Sequence, residues 1–183
     1  TSFASDGDFS RAHLIRRYND DLGNDLGNLL NRIVAMIGRY RDGVIPAPGS
    51  PADFERSLQA VAAEATRASQ QLIEKWDLNV ALESIWLLVR RANQYLEERK
   101  PWQLAKNPEL AGDLDTTLWS AAEATRIAGL LLAPFIPSTS DKLMGQLGLE
   151  PVAAGDLIGK IGWGSVELSS VQPAGPLFPK WEE

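Results

Sequence analysis

Apolar side chains at Ile15, Tyr18, Leu22, Leu26, Leu29, Ile33, Ile37 and Tyr40 follow one another at steps of three and four. That period places them on one stripe of an α-helix and predicts one long amphipathic helix over residues 10–40. Ser10 is suited to cap its N-terminus, and Phe9 to staple onto Leu14. Asp42-Gly43 ends it, and Pro46, Pro48 and Gly49 make the loop beyond.

Four further helices follow from the same pattern. The second is predicted to start with Ser50 as cap and Pro51 as its first residue, burying Phe54, Leu58, Val61, Ala65, Leu72 and Trp76. The third covers about 78–98, with Leu82, Ile85, Trp86, Val89 and Leu96 inward, until Pro101 forces a stop. The fourth covers about 114–133. A short fifth follows Pro137, with Ser138 as cap and Asp141 three residues on. After Gly148, glycine and proline recur, and short strands are expected around 166–168. Trp163, Leu177, Phe178 and Trp181 suggest that this tail packs back on the helices. The expected fold is all-α, an up-and-down bundle of about five helices over 1–148 with an irregular tail over 149–183.

The function classes left open are few. The chain has 183 residues, no cysteine and a single histidine, His13. A disulfide scaffold and a thiolate zinc site are excluded, no metal or other cofactor is expected, and a cytoplasmic location fits. His13, in the first turn of the first helix, reads as a surface or partly packed residue. No apolar run is long enough for a membrane span, and the N-terminus lacks a signal-peptide pattern. No phosphate-binding loop, nucleophile elbow or H-E-x-x-H motif is present. The carboxylate pairs Asp20-Asp21 and Glu97-Glu98 read as a solvated polar face. The net charge of −6 argues against a protein that coats nucleic acid through its phosphates. Any RNA contact must therefore be local.

Two segments could make such a contact. On a wheel of roughly 100° per residue, Asn24, Asn28, Arg32 and Arg39 cluster opposite Leu26, Ile33 and Ile37. Asn28 and Arg32, four apart, are neighbours on one face. Asn offers a donor and an acceptor to a base edge, and Arg a planar donor fork that also stacks. Spacing alone favours an ordinary wet helix face. Gly23 and Gly27, each costing up to about 1 kcal/mol relative to alanine inside a helix, point to close packing there or to close approach of a ligand, helix packing being favoured. The second segment is Asn93-Gln-Tyr-Leu-Glu-Glu-Arg-Lys-Pro101-Trp102-Gln-Leu-Ala-Lys106. Trp102, just past a forced kink, is either core or an exposed stacking platform. Arg99 and Lys100 could meet phosphates or simply suit the helix dipole.

Taken in order, Asp6-Gly-Asp-Phe-Ser10, Tyr18-Asn-Asp-Asp-Leu-Gly-Asn-Asp-Leu-Gly-Asn28-Leu-Leu-Asn-Arg32, the Asn93–Lys106 segment, Leu132-Ala-Pro134-Phe135-Ile-Pro137 and Pro176-Leu177-Phe178-Pro179 resemble the C-terminal anticodon-binding domain of methionyl-tRNA synthetases. The likeness runs along essentially the whole chain. It implies that the partner is the anticodon stem-loop of methionine tRNA. It places the readers of the first anticodon base, the cytosine of CAU, on Asn28 and Arg32, with Trp102 as stacking platform and Pro101 supporting it. Arg39, on the same stripe, is carried as a contact to a neighbouring nucleotide. The family's H-x-G-H-like and K-M-S-K-S-like catalytic segments do not occur here, so no catalytic residue is expected in this chain, and a monomer is expected. Two other readings remain: the anticodon domain of another class I synthetase, for a branched aliphatic amino acid, and a helical protein-interaction module without RNA binding.

Overall fold

The structure, a computed structural model, describes residues 10–181. Residues 6–9, with the start of the first motif and the Phe9 staple, lie outside them. The order of elements is α1 (Arg11–Arg17), a π-helical stretch (Tyr18–Gly27), α2 (Asn28–Arg41), α3 (Asp53–Glu74), α4 (Leu78–Arg99), α5 (Pro101–Leu104), α6 (Ala111–Leu132), α7 (Pro137–Gln146) and α8 (Leu157–Lys160). The expected all-α bundle is what forms. The expected strands around 166–168 do not: among the described residues the only β pairing is an isolated antiparallel bridge between Val44 and Ser170.

The first helix starts where its cap predicts, the Ser10 hydroxyl accepting from the His13 N–H at 3.3 Å. It runs on to Arg41 without a break, but its middle ten residues are π-helical rather than α. A π stretch widens the turn and loosens the carbonyl ladder. Two features match that distortion. The Asn93 side chain donates to the Asp25 carbonyl at 3.2 Å, tying the stretch to α4. At Gly27, a Cβ would stand 3.2 Å from the Leu22 carbonyl oxygen and 3.3 Å from the Phe178 ring. The glycine is therefore matched to the docked tail rather than to a neighbouring helix.

Two other helix starts differ from expectation. Helix α3 begins at Asp53, not Pro51, because Glu55 supplies the cap: its Oε2 accepts from the Ala52 N–H at 2.9 Å. Ser50 is left outside the helix. Helix α7 begins at Pro137 itself, with Ile136 preceding it and no side-chain cap, so Ser138 is not the cap. Proline suits the first helical position because the N–H it lacks would have no intrahelical partner. Phe54 and Trp76, expected on the buried face of α3, are exposed. Phe54 lies in the first turn, under the Arg99 guanidinium at 5.7 Å. Trp76 lies past the helix end in a left-handed conformation, φ 63°.

Helix α6 is the axis of the molecule. Its residues are buried almost without interruption from Leu114 to Leu132, and it packs against α2, α3, α4, α5 and α7. A helix buried all round carries apolar or small residues on every face, and Ala121, Ala122, Ala124, Ala128 and Gly129 let its neighbours approach closely. Its two charged interior residues, Glu123 and Arg126, are fully buried and joined by two hydrogen bonds of 2.6 and 2.7 Å. Arg126 also donates to the carbonyls of Lys160 and Gly162, at 2.5 and 2.9 Å. The Gly164 N–H donates to Glu123 at 2.7 Å. The pair therefore clasps the tail against the bundle core.

The tail is held elsewhere as well. Ile45 N–H donates to Ser169 O, Val171 N–H to Gly43 O, and Gln172 N–H to Gln146 O. The Asn19 side chain exchanges two hydrogen bonds of 3.1 Å with the Trp181 backbone, and Tyr18 meets the rings of Phe178 and Trp181 edge to face. Gly148, where the tail leaves α7, has φ 70° and would place a Cβ 2.3 Å from the Ser170 carbonyl oxygen. Left-handed backbone costs a non-glycine residue roughly 1–2 kcal/mol before any clash is counted. Gly148→Ala is expected to destabilise the fold by more than that amount in urea unfolding. A loss no larger than an ordinary surface substitution would show that the 148–170 contact is loose in solution.

Candidate nucleic-acid interface

The C-terminal end of α4 is built to turn sharply. Lys100 takes a left-handed conformation, φ 50°, and its N–H bonds to the Leu96 carbonyl, closing the helix. Pro101 then opens α5 at its first position and is buried. Trp102, next in line, is half-buried, so part of its indole remains open. This turn sets Trp102 against α2. The Arg32 guanidinium lies 5.9 Å from the centre of the Trp102 ring, within cation–π range. Its Nη2 donates to Glu97 Oε1 at 2.5 Å.

Asn28 is the first residue of α2, one turn before Arg32, and is exposed. Its side chain has no hydrogen bond among the described residues. Arg39, two turns beyond Arg32, is exposed, with its guanidinium 5.7 Å from the neighbouring Tyr40 ring. The structure thus brings together Arg32, Trp102 and, within one turn, Asn28, and sets Arg39 further along the same helix. Asn24 lies in the π stretch and donates to Asp20 at 3.3 Å.

Three other side chains of the 93–106 segment, Asn93, Tyr95 and Arg99, serve the fold. Asn93 holds the π stretch. Tyr95 is buried and donates to Glu55 at 2.6 Å, the same carboxylate that caps α3. Burial first, then that hydrogen bond, push the Tyr95 phenol well above its ordinary pKa. Arg99, which the sequence left open between a phosphate contact and a partner of the helix dipole, is a structural tie. It donates to Thr117 at 3.1 Å and Asp113 at 2.9 Å, and lies 3.3 Å from Glu55. Burial works against its charge, but Asp113 and Glu55 outweigh it and hold the guanidinium above its usual pKa. Lys100 stays exposed. Glu97 and Glu98 are not merely solvated: Glu97 pairs with Arg32, and Glu98 takes Arg91 and Gln94. No sequence signal marked the Glu97–Arg32 pair, whose members are 65 positions apart.

A separate cleft of about 990 Å³ lies between α1, the π stretch, the first half of α4 and the Pro134–Pro137 corner. Tyr18, Leu82, Trp86 and Phe135 line it, and it shares no residue with the Arg32–Trp102 face. Among the described residues, no helix is long and apolar enough to cross a membrane.

The fold and this face define an all-α bundle domain that sets the Trp102 ring beside the Arg32 cation. Residues 45–157 match the model of the anticodon binding domain of methionyl tRNA ligase. The chain is 41% identical to the methionine–tRNA ligase of Bacillus subtilis, the match covering 98% of this chain and 27% of that protein. It is likewise 41% identical to that of Deinococcus radiodurans, over 99% of this chain and 26% of that protein. Among solved structures it is similar to Mycobacterium tuberculosis methionyl-tRNA synthetase in complex with methionyl-adenylate, with a TM-score of 0.89, 32% identity, and coverage of 98% of this chain and 35% of that one. The chain belongs to the family of methionyl-tRNA ligase anticodon-binding domains. It spans about a quarter of the length of the curated relatives it matches.

Proposed function

We propose that this chain binds the anticodon loop of methionine tRNA and reads the cytosine of CAU, as the anticodon-binding part of a methionine–tRNA ligase. The observation that carries the reading is the half-buried Trp102 ring with Arg32 against it and Asn28 one turn before Arg32. The base stacks on Trp102, while Asn28 and Arg32 address its edge. Pro101 fixes where the platform stands. Arg39 serves a neighbouring nucleotide. Unstacked bases of a single-stranded loop are accessible to this kind of recognition. The net charge of −6 fits a contact that relies on stacking and edge readout more than on phosphates. Formation of the aminoacyl-adenylate and transfer to tRNA belong, on this reading, to the larger part of the ligase.

The test is a fluorescence titration with two anticodon stem-loops, one carrying CAU and one with its first base changed, at low and moderate salt. Selective quenching by CAU supports the reading. Equal binding of both loops, or none at low salt, removes the sequence-specific claim. In that case the cleft beside Trp86 and Phe135 favours the second reading, a bundle that docks another protein segment.

A further inference from the structure

The π stretch Tyr18–Gly27 ends directly before Asn28. The Asn28 N–H reaches the carbonyls of Asp25 and Gly23, and the Gly23 bond, five residues back, is the π pattern. The backbone of this reader therefore belongs to the π ladder. π-Helical backbone is rare and mostly confined to single turns, so ten residues of it need support from outside the helix. One support comes from α4, through the Asn93 side chain on the Asp25 carbonyl. The other is the tail. Phe178 faces both ends of the stretch. Its ring centre lies 6.0 Å from that of Tyr18, the first residue, and its Cδ2 would stand 3.3 Å from a Cβ on Gly27, the last. Three residues on, the Trp181 backbone exchanges two hydrogen bonds of 3.1 Å with the Asn19 side chain.

We propose that the tail segment 178–181 positions Asn28 for base reading, with Phe178 as the positioning residue. The inference rests on the base-reading function proposed above. Released from the tail, the stretch would wind toward the tighter α form, its hydrogen bonds moving from five residues back to four. A change of winding has to be taken up as a rotation at one end of the stretch. One end is Asn28, which is exposed and has no side-chain hydrogen bond among the described residues to hold it. Arg32, one turn further on, is anchored by Glu97, and Trp102 belongs to the corner between α4 and α5. Both lie outside the stretch. Loss of the tail contact therefore reaches Asn28 first and the other two much less. Phe178 touches no base in this scheme. It acts through Gly27, where no Cβ stands between the ring and the helix backbone.

The test is a double-mutant cycle on the whole chain, titrated calorimetrically with a CAU stem-loop. Phe178→Ala alone is expected to weaken binding by about two- to tenfold, the lower part of the range for coupled residues. Added to Asn28→Ala, it should cost less than about twofold further, because the group it positions is gone. Added to Trp102→Ala, it should cost its full factor. Phe178→Leu, which keeps apolar bulk against Gly27, should restore most of the binding. Asn19→Ala removes the two hydrogen bonds to Trp181 and should show the same pattern on a smaller scale, so the cycle can be closed even where Phe178→Ala does not fold. A full factor in both the Asn28→Ala and the Trp102→Ala backgrounds overturns the proposal, since the tail would then only stabilise the bundle. Unchanged binding by Phe178→Ala and Asn19→Ala overturns it too, as does wild-type binding by Asn28→Ala, which leaves nothing to position. If the wild type does not bind the CAU loop, the base-reading function itself fails; if it binds and the cycle shows no coupling, the positioning role alone does.

Discussion

Arg126→Ala is expected to lower the melting temperature by roughly 10 °C. Removing one partner of a buried ion pair costs about 3–5 kcal/mol, because the other charge is left in the interior unpaired. In a chain of this length each kcal/mol corresponds to about 2–4 °C. Arg126 and Glu123 are both fully buried, and Arg126 is the only cation that Glu123 contacts among the described residues. The substitution would strand the Glu123 carboxylate with little beyond the Gly164 N–H. It would also free the carbonyls of Lys160 and Gly162, so the tail should become open to proteolysis near 160–164. Glu123→Leu combined with Arg126→Met is expected to be milder than Arg126→Ala, since it removes both charges while filling the space. Thermal unfolding of the variants decides the matter. A shift of no more than about 2 °C for Arg126→Ala would mean that water reaches the site and solvates the remaining charge.

Trp102→Ala is expected to weaken binding of a CAU stem-loop by about 10- to 100-fold while leaving the bundle folded. Base stacking on an aromatic ring is worth roughly 1–3 kcal/mol, which corresponds to that range. Trp102 is only half-buried, and its partner Arg32 keeps Glu97 when the ring is gone. The change should therefore cost binding more than stability. The chain has six tryptophans, so any binding that remains can still be followed by fluorescence in the variant. Trp102→Phe should restore part of the affinity, because a smaller aromatic still stacks. Full-strength binding by Trp102→Ala would place the recognition surface elsewhere, and calorimetric titration of all three proteins would show it.

Much of the fold was legible from periodicity. Helix α4 was expected over 78–98 and spans Leu78–Arg99, because apolar spacing and a following proline are local signals. Capping was less legible. The start of α3 depends on the Glu55 carboxylate, which Tyr95 fixes from 40 positions away. The π stretch could not be read from a wheel that assumes 100° per residue. Nor could the single bridge at Val44 and Ser170, since neither partner has a strand of its own.

By itself the sequence determined an all-α bundle, the placing of Asn28 and Arg32 one turn apart, and a forced break before Trp102. Each rests on backbone geometry, which acts over a few residues. Only the tertiary structure decided that α6 is the buried axis, that Glu123 and Arg126 clasp the tail, that Arg99 faces inward, and that Arg32 meets both Trp102 and Glu97. These rest on packing and on the pairing of buried charges between positions far apart in the chain, and no local pattern encodes that.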